Sequence, residues 1–357
     1  MTDTLDVRKG SPSVELTRDE FRERFRARFV DPMFEAVTTE LGAIEDVAWE
    51  SYRTHHKAPR TRKAGKEFAD PAYDLSLDWL ATREAMAQAK RLHDASIEHR
   101  VLVIAGGARN EHTCPGEQSK TQRLVSEACD ELRARGAHVD LLDLSEQTAE
   151  YGRQIHPCKA CVSTAMPLCH WPCSCYPNHG LGQTADWMSE IYPRWVAAHG
   201  VAIITPTYYY QAPATLKLMI DRMVCSDGGN PDPTTTHGKD PAKAKAIELA
   251  GWGFPKHLSG RAFAVFTHGD SAGAEGLRRN LHDWLTDLDL ESAGPKGNLD
   301  RFIGYLEPYA SSHEAFDRTP ALVEEVRMAM GALVEKIGQL RSGVPPIGRE
   351  IAEPRPK

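Results

Sequence analysis

Arg100-Val101-Leu102-Val103-Ile104-Ala105 runs directly into Gly106-Gly107-Ala108-Arg109, and Ser119-Lys120-Thr121 opens an amphipathic stretch soon after. A continuous apolar run without alternation suits a parallel strand covered on both faces. The amphipathic stretch reads as a helix from Lys120 to Arg135, stopped by Gly136 in the C-cap position. Strand, glycine turn and helix then recur. Further strands are expected at Ala137–Leu142, Gly200–Thr205, Arg261–Thr267 and around Phe302–Leu306. Helices are expected at Thr184–Ala198, Ala212–Met223, Ala274–Leu288 and Pro320–Arg341. Strands alternating with helices call for a doubly wound, five-stranded parallel sheet of α/β class, because right-handed crossovers leave little else.

Outward from residues 100–342 the grammar differs. Residues 1–99 read as a helical extension, and 343–357 as a tail. Leu16–Leu41 carries apolar residues at helical spacing, with Thr17 and Glu20 as a capping box and Pro32 as a dividing point. A loop from Thr54 to Pro71 precedes a second helix, Ser76–Ala95. The net charge of −7 argues against nucleic acid as a main partner. No stretch approaches the ~18 apolar residues of a membrane span. Met1–Ser11 lacks the apolar core of a signal peptide, so a cytoplasmic chain with reduced thiols is expected.

In an open parallel sheet, ligands bind outside the carboxyl ends of the strands. Three loops leave those ends. Gly106–Arg109 with Ser119-Lys120-Thr121 offers close backbone approach, hydroxyls, positive charge and a helix N-terminus, all suited to phosphate. Its order is neither G-x-x-x-x-G-K-[ST] nor G-x-G-x-x-G, and an ordinary glycine turn with a serine cap is the alternative. Pro206-Thr207-Tyr208-Tyr209-Tyr210 places aromatic faces after a buried strand, where they stack on a planar ring or pack on a neighbour. His268-Gly269-Asp270, continuing to Gly273, supplies backbone amides for a ring's polar edge, with His268 alternatively an exposed loop histidine.

These pieces resemble the NADPH-dependent FMN reductase family of flavodoxin-like proteins. The segments that carry the likeness are G-G-A-R…S-K-T, T-P-T-Y-Y-Y…L-K-L-M-I-D-R and T-H-G-D…G-A-E. The resemblance implies a flavodoxin-like sheet and an FMN phosphate held by Arg109, Ser119, Lys120 and Thr121. It also implies a flavin ring against Pro206, Thr207, Tyr208 and Tyr209 on one side and His268, Gly269, Asp270 and Gly273 on the other. NAD(P)H would be the co-substrate and a small molecule (quinone, nitro compound or flavin) the acceptor. Tyr208 and His268 are candidate proton donors, and a homodimer is the expected assembly. The first loop departs from the family pattern, because the spacing from Arg109 to Ser119 is longer than usual.

Five of the eight cysteines (Cys158, Cys161, Cys169, Cys173 and Cys175) fall within 18 residues between the second and third strands. Iron–sulfur flavoproteins, relatives of the same family, carry a compact cluster motif in that loop. Thr164 stands here where their third cysteine would be. Four thiolates suit an iron–sulfur cluster or zinc. A redox-active or substrate-facing thiol set, or structural cysteines, are the alternatives. No G-x-S-x-G or H-E-x-x-H motif is present. Three functions therefore stand in order: an FMN-dependent NAD(P)H oxidoreductase, a flavin electron carrier without its own substrate, and a non-catalytic flavin-binding or assembly protein.

Overall fold

The computed structural model describes residues 15–55, 60–114, 116–177 and 185–343, together with Val7 and Gly10. The tail beyond Gly343, and Thr184 where one helix was expected to begin, lie outside these residues. The chain folds into two compact units. One comprises residues 82–158, 187–228 and 254–357; the other, residues 1–81, 159–186 and 229–253.

The first unit is built on a parallel sheet whose strands are β1 (Arg100–Ala105), β2 (His138–Asp143), β3 (Gly200–Pro206), β4 (Ala262–Gly269) and β5 (Asn298–Phe302). Their order is β2-β1-β3-β4-β5, every pair parallel. This is the flavodoxin-like arrangement, with the switch point between β1 and β3. The last strand position is shared: Glu291–Ser292 pairs with the start of β4, and β5 with its end. The strand expected at Phe302–Leu306 thus lies a few residues earlier. Its sequence, N-L-D-R-F, hid it, because an edge strand that stays partly exposed needs no apolar run.

Helices α1 (Lys120–Ala134), α2 (Met188–Ala197), α3 (Ala214–Arg222), α4 (Ala274–Asp287) and α5 (Ala321–Arg341) flank the sheet. On one face, Val101, Val103 and Ala105 meet Leu124, Ala128 and Leu132 of α1 and Val326, Met330 and Leu333 of α5. Helix α5 approaches so closely that a Cβ on Gly200 would lie 2.5 Å from Ile337 Cδ1. The opposite face carries α2 and α4, whose Trp195 and Trp284 meet edge to face at 6.0 Å.

In the second unit, the helix Arg18–Arg26 bears the expected Thr17/Glu20 capping box. Pro32 does divide the segment: a 3₁₀ turn, Pro32–Val37, leads into the helix Thr38–Arg53. Buried Glu45 joins the pair by accepting from Arg18, Arg22 and Arg26. An antiparallel ribbon (Thr61–Lys63 with Asp74–Ser76) lies within what was expected to be a loop and its margin. Beside it, Ala64, Phe68, Leu75 and Trp79 form a small core, and Trp79 Nε1–H donates to the Pro172 carbonyl at 2.9 Å. Segment 229–253 is laced to the cysteine loop: Asn230 N–H donates to Cys169 O and Trp171 N–H to Asn230 O. His170 is wholly buried there, between the Ser174 and Thr236 hydroxyls.

Candidate functional site

Because the strands are parallel, the loops after β1, β3, β4 and β5 all emerge on one side of the sheet. They enclose a cavity of about 800 Å³, within the usual range for small-molecule sites.

The loop after β1 approaches the sheet closely. A Cβ on Gly106 would sit 2.6 Å from Thr205 Oγ1 and 2.9 Å from Leu216 Cδ2, so this position needs glycine. Arg109, Ser119, Lys120 and Thr121 line the cavity at the N-terminus of α1. Ser119 Oγ accepts from Gln122 N–H at 3.1 Å as the N-cap, which leaves its own proton free to donate. Burial lowers the Lys120 pKa, and Asp270 opposes that effect.

The loop after β3 turns at Tyr208–Gln211, whose backbones exchange hydrogen bonds at 2.9 and 3.0 Å. Tyr209 (φ 44°) and Tyr210 (φ 68°) occupy the two central, left-handed positions, a costly conformation for side chains of this size. Tyr209 is 98% exposed, whereas Tyr208 is only 39% exposed at the cavity wall. Gly273 accommodates this turn: a Cβ there would fall 2.8 Å from Tyr210 Cα.

His268 is not on an exposed loop. It belongs to the end of β4, is 3% exposed, and its Nε2 lies 2.9 Å from Thr121 Oγ1. Burial first, and Lys120 second, bring its pKa down to about 3, so it is a neutral imidazole at physiological pH. The role this geometry supports is positioning Thr121, rather than supplying a proton as imidazolium.

Eleven residues expected at the cofactor (Arg109, Ser119, Lys120, Thr121, Pro206, Thr207, Tyr208, Tyr209, His268, Gly269 and Asp270) thus line one cavity. Gly273 shapes it from behind. The sequence reading missed Glu117, Tyr309 and His313, which also line it. The last two follow β5, and the rule that ligands sit at strand carboxyl ends pointed to that loop as well. Two buried atoms here have no hydrogen-bond partner among the described residues: Arg109 Nε and Thr207 Oγ1. Unmet polar groups in a cavity wall are costly unless a ligand satisfies them. A phosphate with a polar-edged ring fits that requirement, so these residues suit FMN.

The cysteines are arranged differently. Cys158 falls in the sheet-bearing unit; Cys161, Cys169, Cys173 and Cys175 fall in the other. Cys161 Sγ and Cys175 Sγ are 3.4 Å apart. The Cys175 hydrogen bond, opposed by burial and aided by the Lys239 ammonium, brings the Cys161 thiol down to about 6. Among the described residues no group of three or more His, Cys, Asp or Glu side chains is placed to hold a metal ion. In the same unit as these four cysteines, Asn230, Thr236 and Lys239 hydrogen-bond to the cysteine loop. Among the described residues no helix is long and apolar enough to cross a membrane.

Strand order and cavity together define a flavodoxin-like α/β protein with a cavity at the switch point. The chain belongs to the NADPH-dependent FMN reductase family, whose model matches residues 99–291. It is 26% identical over 125 residues to an iron-sulfur flavoprotein of Methanosarcina thermophila, covering 35% of this chain. The chain spans about half the length of that relative, 52%. Similar solved structures include RosB with a bound 8-demethyl-8-formylriboflavin-5'-phosphate intermediate (TM-score 0.44, 13% identity, 69% of this chain and 82% of that one). Another is an FMN-dependent NADH-azoreductase from Bacillus anthracis str. Ames Ancestor in complex with FMN (TM-score 0.38, 12% identity, 66% and 100%). The family assignment rests on the sequence match, and the fold on the strand order.

Proposed function

We propose that this chain is an FMN-dependent oxidoreductase that takes electrons from NAD(P)H and passes them to a small acceptor such as a quinone, a nitro compound or a flavin. The observation that carries this reading is the pair of unmet donors, Arg109 Nε and Thr207 Oγ1, in a cavity that also holds Lys120 and the N-terminus of α1. When bound, FMN would supply two-electron redox chemistry, which needs no protein nucleophile. Arg109 and Lys120 would balance the phosphate charge, and Ser119 and the first N–H groups of α1 would donate to its oxygens. An Nε2–H on His268 would donate to Thr121 Oγ1 and so turn the Thr121 proton toward the same anion. Thr207 Oγ1 and the Gly269–Ala272 backbone are the donors available to the ring's polar edge. Tyr208 would shield that ring from water.

The test is an ultraviolet–visible spectrum of anaerobically purified protein, before and after NADPH. Oxidised-flavin bands that bleach with NADPH, and return when an acceptor is added, are the expected result. Bound FMN with no NAD(P)H oxidation would instead favour the electron-carrier reading. A protein that stays colourless after incubation with FMN overturns both.

A further inference from the structure

The cysteine loop holds a reactive constellation that the FMN cavity does not use. Lys239 Nζ lies 3.4 Å from Cys175 Sγ and 3.6 Å from Cys161 Sγ, and donates to the Leu168 carbonyl at 2.9 Å. The two sulfurs are in contact at 3.4 Å. Among the described residues, no carboxylate pairs with this ammonium; the groups that sustain its charge are the thiols of Cys175, Cys161, Cys173 and Cys169. A partly buried ammonium gains from a neighbouring counter-anion, and sulfur is what the protein places beside it. Cys161 and Cys175 are both partly exposed, so a small molecule can reach them. Ala160, at φ 50°, enters the 3₁₀ turn Cys161–Ser163 that presents the first of these sulfurs.

We propose that Cys161 and Cys175 are a redox-active dithiol, activated by Lys239, that is oxidised to an intramolecular disulfide by small linear disulfides of the glutathione disulfide class. The Cys161 thiolate attacks one sulfur of the small disulfide, forming a mixed disulfide as the S–S bond of the reagent breaks. The leaving thiolate takes a proton from solvent. The Cys175 thiol then loses its proton to solvent and attacks Cys161 Sγ, expelling the second small thiolate, which is also protonated. Two protein thiols are thereby oxidised to one disulfide, and one small disulfide is reduced to two thiols, a two-electron exchange. Lys239 favours the thiolate and so speeds the first attack. Because it stabilises the reduced state, it also makes the resulting disulfide easier to reduce.

The experiment treats full-length, anaerobically purified protein with glutathione disulfide and maps the products by mass spectrometry without reduction. It reads thiols alone, so its failure is distinct from failure of the flavin reading. The expected result is a Cys161–Cys175 link that forms before exposed Cys114 is modified. Cys175→Ser should halt the reaction at a glutathione adduct on Cys161. Lys239→Met should slow the first step about tenfold or more, yet make the disulfide harder to reduce, with Lys239→Arg restoring the rate. The wild-type map stands even where a variant fails to fold. The proposal is overturned if Cys114 reacts first, if no link forms, or if both thiols stay inert because stoichiometric zinc or iron holds them until a chelator is added.

Discussion

The cavity at the sheet's carboxyl edge and the cluster around Lys239 both bring a lysine into contact with loop residues, but they satisfy it in opposite ways. In the cavity, two groups are left unmet: Arg109 Nε and Thr207 Oγ1 have no partner among the described residues, and burial weakens the Lys120 charge. At Lys239 the protein supplies its own soft anions, and the charge is reinforced despite burial. A site with unmet donors is arranged for a ligand to complete it. A site whose cation is met by thiols is arranged for chemistry on the protein itself.

The largest effect that would break this contrast is loss of the cradle's shape. Gly106→Val drives a side chain into Thr205 and Leu216, so overpacking should cost roughly 1–3 kcal/mol of stability and FMN should no longer be retained. Denaturant midpoints and bound-flavin absorbance would check both, and a variant that keeps FMN would show that the glycine approach is unimportant. Arg109→Ala should weaken FMN binding by about tenfold or more, as for a hydrogen bond to a charged group. The stability of the flavin-free protein should hardly change, because Nε has no partner to lose and the exposed 3.9 Å ion pair of another guanidinium nitrogen with Glu117 is weak. Calorimetric titration with FMN measures the first effect and thermal unfolding the second.

His268 offers a pH-dependent test. Its pKa in the folded chain, about 3, lies below the ~6.5 of an unfolded histidine. The unfolded state therefore binds the extra proton first, and this contribution to stability, full above pH ~6.5, is lost as pH falls toward 3. His268→Gln should flatten the stability slope in that window by up to about 1.4 kcal/mol per pH unit. His199, whose pKa burial lowers to about 4, leaves a residual slope. An unchanged slope would mean that the Thr121–His268 contact opens in solution.

Smaller still, Thr207→Val should reduce FMN affinity by about threefold to tenfold while leaving the flavin-free protein as stable or slightly more so. A loss of stability without flavin would place the hydroxyl in the protein's own hydrogen bonding rather than the ligand's. The smallest effect should come from Tyr209→Asn, which keeps a residue tolerant of the left-handed backbone and removes the exposed ring. Stability should rise by a few tenths of a kcal/mol at most, measured by chemical unfolding, and any large drop in FMN affinity would assign the ring to the cofactor.

Much of this was legible in local sequence. Val101–Ala105, Gly200–Thr205 and the glycine-rich turns state their structure directly, because strand burial on two faces and close backbone approach leave few residue choices. The same holds for the eleven lining residues, since parallel strands bring all their following loops to one edge. What the sequence could not show is pairing at long range. Nothing in His268 announces that β4 extends through it and buries it against Thr121, 147 positions away. Tyr309 and His313 join the cavity only because partly exposed β5 pairs beside β4. The cysteine string suggested metal, cluster or thiol chemistry alike, and only the fold brings Lys239, 78 positions beyond Cys161, beside its sulfur. Local sequence sets the backbone grammar, whereas the charge a side chain carries is decided by whatever the fold brings within a few ångströms of it.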